Sequence, residues 1–242
     1  MLCFLFTQPL TPLFHREIYK AYDKSGIDEM RKIFLRYVSM FYSIAVCIST
    51  FFFFQSSKLT LIIGGEHFKG AVLPVAIMSL CPIHQTYGQL NSAIYLATGK
   101  TKLYRNIGLA NNLFGFLMVY LFLAPKTQWG LELGSTGVAL KALLIQILGQ
   151  NFYLWYNTKI MKISFIRLLN HQFKSVIIIG GLSGLASLIA NSVSDNMLIS
   201  LLTAGLIYII FLIGIIFIMP SLFSTNHSEI KYNIRLVREK LF

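Results

Sequence analysis

Long apolar runs alternate with short polar connections along almost the whole chain. Six runs, roughly residues 35–54, 72–97, 106–124, 134–157, 174–190 and 197–219, have lengths suited to crossing the hydrocarbon core of a bilayer. In one lipid solvent such runs must be helical, because isolated strands leave backbone groups unsatisfied, and the alternating ten-residue strands of a barrel are absent. The pattern therefore predicts an all-α integral membrane protein, a bundle of about six transmembrane helices. Its divisions fall at residues 1–34 (a helix tail and an amphipathic connection), 35–157 (helices one to four), 158–220 (helices five and six) and 221–242 (a basic tail).

Local signals refine this outline. Residues 15–32 mix charged and apolar positions with Ile18 and Tyr22 four apart, as on a helix lying against a membrane. Asp23–Gly26 breaks that element, and Ser25 followed by Asp28 resembles a capping box that opens the first span. Residues 55–71 are polar and contain Gly64-Gly65-Glu66-His67, which predicts an outward connection. Pro74 and Pro82 interrupt the second span. The apolar opening Met1–Phe6 is too short to span and lacks the basic start of a signal peptide, so it reads as the tail of a helix.

The charge pattern gives the bundle an orientation. Seventeen of the 21 Lys and Arg lie in residues 15–36, 98–106, 158–174 and 221–242, and the alternate connections hold only Lys58, Lys69 and Lys126. Basic connections stay in the cytoplasm, so both termini are expected there. With 55% hydrophobic and 12% charged residues, the net charge of +12 reads as orientation and as contact with anionic membrane lipids. It does not read as a nucleic-acid interface, because no basic stretch carries interleaved aromatics. Cys3, Cys47 and Cys81 are scattered through apolar stretches, which predicts buried thiols and no metal site.

Polar residues inside apolar runs are the candidate chemistry, since they are costly in hydrocarbon unless they face protein or a wet cavity. The second span places Gln85–Gln89–Ser92 and His84–Gly88–Asn91–Tyr95 on two adjacent helical stripes. These read either as a cavity wall for a hydrophilic substrate or as interhelical hydrogen bonding. Lys141 stands about seven residues, about 10 Å, inside the fourth span, with Gln146 and Gln150 beyond it. It either snorkels outward or presents a cation to a phosphate or acidic sugar. None of the nine acids lies mid-membrane, and no Walker loop, nucleophile elbow or zinc-ligand cluster is present. No catalytic residue and no cofactor is expected, which argues against an enzyme.

Several stretches carry a family resemblance: Pro9–Asp23 with Asp28–Tyr37 (PLTPLFHREIYKAYD, DEMRKIFLRY), Ile62–Ala71 (IIGGEHFKGA), Ile94–Ile107 (IYLATGKTKLYRNI) and Gly134–Leu140 (GSTGVAL). Their order and spacing resemble the C-terminal half of polysaccharide-unit (O-antigen) flippases of the multidrug/oligosaccharidyl-lipid/polysaccharide exporter superfamily. The resemblance implies one lobe of a MATE-like two-lobed transporter that moves undecaprenyl-pyrophosphate-linked oligosaccharide without ATP. It implies a partner N-terminal lobe, and a substrate site drawn from Lys141, His84, Gln85, Gln89, Asn91, Tyr95, Gln146 and Gln150. A drug/cation antiporter of the same superfamily, or an inactive truncated membrane fragment, are the alternatives.

Overall fold

A computed structural model describes residues 10–226; the apolar opening, Cys3 and the basic tail from residue 227 lie outside the described residues. Those described contain no strand and form the helices α1 (Leu10–Ser25), α2 (Ile27–Gly64), α3 (Val72–Ser79), α4 (Cys81–Ala97), α5 (Thr101–Leu123), α6 (Gly134–Met161), α7 (Phe165–Val193) and α8 (Met197–Ile218). Five of them, α2 and α5 to α8, are long and apolar enough to cross a membrane. This is the architecture of a multi-pass α-helical membrane protein.

The second expected span is two helices. Pro82 has no N–H to bond the preceding turn, and the chain passes through Leu80 on i→i+3 bonds, Leu80 N–H to Ile77 O (3.1 Å) and Ile83 N–H to Leu80 O (3.2 Å). Neither α3, with 8 residues, nor α4, with 17, is a crossing helix by itself.

Three other expectations are corrected. Helix α2 does not end near residue 54: it runs 38 residues to Gly64, and the outward connection shrinks to Gly65 and a 3-10 turn over Glu66–Ala71. Gln55 and Ser56 are buried in the bundle, and Lys58 Nζ donates to Ser200 Oγ on α8 at 2.8 Å. The polarity that read as a loop is thus carried into the bundle, where Lys58 finds its partner on a neighbouring helix. The capping box does not form: Ser25 is the last residue of α1, and the chain turns at Gly26 with φ of 68°, a region open to glycine, with no side-chain cap on α2. Helix α1 hides its apolar face in protein, with Phe14, Ile18 and Ala21 buried against α2 and α4 while Arg16 and Lys20 point to solvent.

Helix α4 stands between two neighbourhoods. On one side it meets α1 and α2, and α2 packs in turn on α7 and α8; on the other it meets α6, which also carries α5 and α3. One buried cluster gathers Phe14, Phe34, Leu90, Ile94, Met161 and Leu168. It joins the starts of α2 and α7 with the ends of α4 and α6, so three of the four basic segments flank one end of the bundle. The outer faces are apolar. Phe116 on α5, Ile177 on α7 and Ile210 on α8 are 75%, 68% and 66% exposed, each among similar neighbours, an inverted pattern suited to lipid and far beyond the patches of a water-soluble monomer.

Candidate functional site

The two polar stripes of α4 face two different helices. The Gln89 stripe meets α1: Thr11 Oγ1 donates to Gln89 Oε1 at 3.2 Å, and His15 Nε2 donates to the Gln89 carbonyl at 3.0 Å. Ser92 Oγ bonds that same carbonyl at 3.0 Å. Gln85, one turn earlier on this stripe, is half-buried.

The second stripe meets α6. Asn91 Nδ2 donates to the Gln150 carbonyl at 3.3 Å, and Asn157 Nδ2 returns to the Asn91 carbonyl (3.2 Å) and to its Oδ1 (2.9 Å). A turn further on, the fully buried Tyr95 donates to the Tyr153 carbonyl at 2.8 Å, and Tyr153 donates onward to the Tyr104 carbonyl of α5 at 3.2 Å. Asn91, Gln89 and Tyr95 are therefore engaged in holding helices together.

Glycines admit the larger polar groups of this seam. A β-carbon on Gly88 would lie 2.8 Å from Gln150 Oε1, and one on Gly149 would lie 2.6 Å from the Asn111 amide. Gln150 thus lies against α4, and Asn111 of α5 lies against α6. Lys141 follows the same pattern: its Cε lies 3.7 Å from where a Gly115 β-carbon would sit, so its stem is laid across α5. It makes no hydrogen bond or ion pair among the described residues. Small residues at such crossings let polar side chains and backbones meet closely within lipid.

Among the sequence candidates, three retain an uncommitted polar atom. His84 Nδ1, Gln146 Oε1 and Gln150 Oε1 are buried without a hydrogen-bond partner among the described residues. The His84 ring stands edge-on to Tyr42 of α2 at 6.0 Å, and Tyr42 also lies 4.9 Å from Tyr87 and 6.2 Å from His171 of α7. The structure thus divides the eight sequence candidates. Gln89, Asn91 and Tyr95 act in packing; His84, Gln146 and Gln150 retain free polar atoms beside them; Lys141 lies at the α5–α6 crossing; Gln85 makes no hydrogen bond among the described residues.

Residues missed from sequence complete the interior. Asn157 continues the α6 face of Gln146 and Gln150, a spacing visible in the sequence but placed at the rim of the expected span. Gln172 Nε2 donates to Asn151 Oδ1 at 2.8 Å, tying α7 to α6, and Gln55 is fully buried with both amide atoms unpartnered. No group of three or more His, Cys, Asp or Glu side chains is arranged to hold a metal among the described residues, and Cys47 and Cys81 are free thiols. The described acids occupy α1, the first turn of α2, the 3-10 turn at Glu66, and the connections at Glu132 and Asp195. No family model matches the chain, and no curated protein or solved structure shows significant similarity to it.

Proposed function

We propose that the chain is one helical lobe of an exporter that moves an undecaprenyl-pyrophosphate-linked oligosaccharide across the bacterial inner membrane. In this reading both termini are cytoplasmic, α3 and α4 together complete a sixth crossing, and a second lobe, on the same or another chain, closes the cavity. The observation that supports it most is the series of buried, unpartnered polar atoms along α4 and α6, among them His84 Nδ1, Gln146 Oε1 and Gln150 Oε1. They lie on or beside a helix broken at Leu80, and interrupted helices are the usual carriers of substrate sites in transporters. Lys141 supplies a cation for the pyrophosphate or for a sugar acid. The antiporter alternative draws on a carboxylate at membrane depth, and the described acids lie at helix ends, turns and on α1.

Complementation tests the reading. In a strain lacking its oligosaccharide flippase, this chain, alone or co-expressed with the N-terminal lobe of such a flippase, is expected to restore surface polysaccharide and clear lipid-linked units from the cytoplasmic leaflet. A chain present in the membrane that restores neither in either arm would overturn it.

A further inference from the structure

At the end of the bundle opposite the Glu66–Ala71 turn, a cleft of about 770 Å³ opens between the start of α2, the start of α7 and the turn that follows α8. Its volume is that of a site for a small ligand or headgroup. Arg36 and Ser39 line it from α2, Arg167, His171 and Lys174 from α7, and Ser221 from the turn Pro220–Phe223. On α7 the positions 167, 171 and 174 fall on one face, and the outer two are separated by about 10 Å at 1.5 Å per residue. Among the described residues no carboxylate lines the cleft, and Arg36, Arg167 and Lys174 are exposed and have no ion-pair partner.

The wall is built and held. The Leu222 carbonyl accepts two hydrogen bonds, from Ser43 Oγ of α2 at 2.5 Å and from His171 Nε2 of α7 at 3.0 Å, which fixes the turn against both helices. Pro220 and Leu222 are buried beneath it. Beside the cations the surface becomes apolar at once: Ile166, Phe173 and Ile177 of α7 are exposed, as are Phe217 and Ile218 at the end of α8. Cationic recess and apolar flank thus adjoin along the membrane direction.

We propose that this cleft binds the phosphate-bearing headgroup of an anionic membrane phospholipid, with its acyl chains against the exposed apolar faces of α7 and α8. The three exposed cations and the surrounding hydroxyls match a phosphate, which accepts but does not donate when ionised. The apolar flank distinguishes a lipid from a soluble phosphate, for which it would serve no purpose. The proposal needs the helices to lie in a membrane; it does not need the chain to transport anything, and its test measures binding alone.

The test uses the full chain in nanodiscs of phosphatidylcholine, with or without phosphatidylglycerol, and reads retained lipid by native mass spectrometry and by the lipid-dependent shift in melting temperature. The wild type is expected to retain phosphatidylglycerol over phosphatidylcholine. Each cation removed should weaken retention about fivefold, so Arg36→Gln/Arg167→Gln/Lys174→Gln loses about a hundredfold. A control of equal charge change outside the cleft, Lys20→Gln/Lys100→Gln/Lys102→Gln, should stay within about threefold of wild type. The charge-keeping variant Arg36→Lys/Arg167→Lys/Lys174→Arg should retain binding, separating a lost site from a lost fold. Equal loss in the cleft and control variants, or no preference for the anionic lipid, would overturn the site. Displacement of the lipid by millimolar inorganic phosphate would overturn its assignment to a membrane lipid.

Discussion

Individual polar residues in this protein carry unequal weight because lipid removes the alternative of bonding to water. Asn157 of α6 donates two hydrogen bonds to Asn91 of α4, both residues being fully buried. Asn91→Ala removes one of the two acceptors of the Asn157 amide and the donor to the Gln150 carbonyl, so about 1 kcal/mol of stability should be lost, read by detergent-induced unfolding. Asn112→Ala, on the exposed side of α5, should leave stability within error. Lys141 separates charge from bulk. If its ammonium meets a substrate anion, Lys141→Ala and Lys141→Met should both depress export, whereas Lys126→Ala, in the exposed turn after α5, should not. Export retained by Lys141→Met would assign the side chain to its packing across Gly115. The polar character of these positions was legible in the sequence, and so was their helical phase. Their partners were not: nothing in the stripes says that Gln89 meets α1 while Asn91 meets α6, because that depends on how four helices cross.

Elements were legible where apolar length decided the matter. Helices α5, α6, α7 and α8 lie where hydropathy puts them, with ends displaced by as many as nine residues at the start of α7. That displacement hid His171, which the charge pattern assigned to a connection. Helix α2 was truncated for a related reason: Gln55, Ser56 and Lys58 read as a polar loop, whereas Lys58 reaches Ser200 and the other two turn inward. A single sequence records polarity; satisfaction of that polarity by another helix is a tertiary fact. The helix α1 carries its own prediction. Phe14 is fully buried and meets Tyr37 edge-on at 5.5 Å. Phe14→Ala should loosen α1 by about 3 kcal/mol, the lower end for such a truncation. Trypsin cleavage at the exposed Lys24 should then accelerate by about a hundredfold, because cleavage follows the population of the open form. An unchanged rate would mean that α1 is held elsewhere.

At the scale of the whole molecule, charge and topology agree. The starts of α2 and α7 and the ends of α4 and α6 share one buried cluster, and the basic segments around residues 15–36, 98–106 and 158–174 adjoin it. Reporter fusions should therefore read one side at Gly99 and Lys162 and the opposite side at Gly65, Lys126 and Ser194. Phosphatase activity at Gly99 would invert the orientation and with it the proposed cytoplasmic placement of the termini.

The doubly bonded Leu222 carbonyl has a mechanical consequence. Helix α8 finishes in a clasp whose two fingers, Ser43 and His171, belong to separate neighbours, so tilting its end away from either must release a donor. A tenant lodged against that clasp and any swing of α8 are then weighed on one balance: whatever steadies the first restrains the second, and reciprocally.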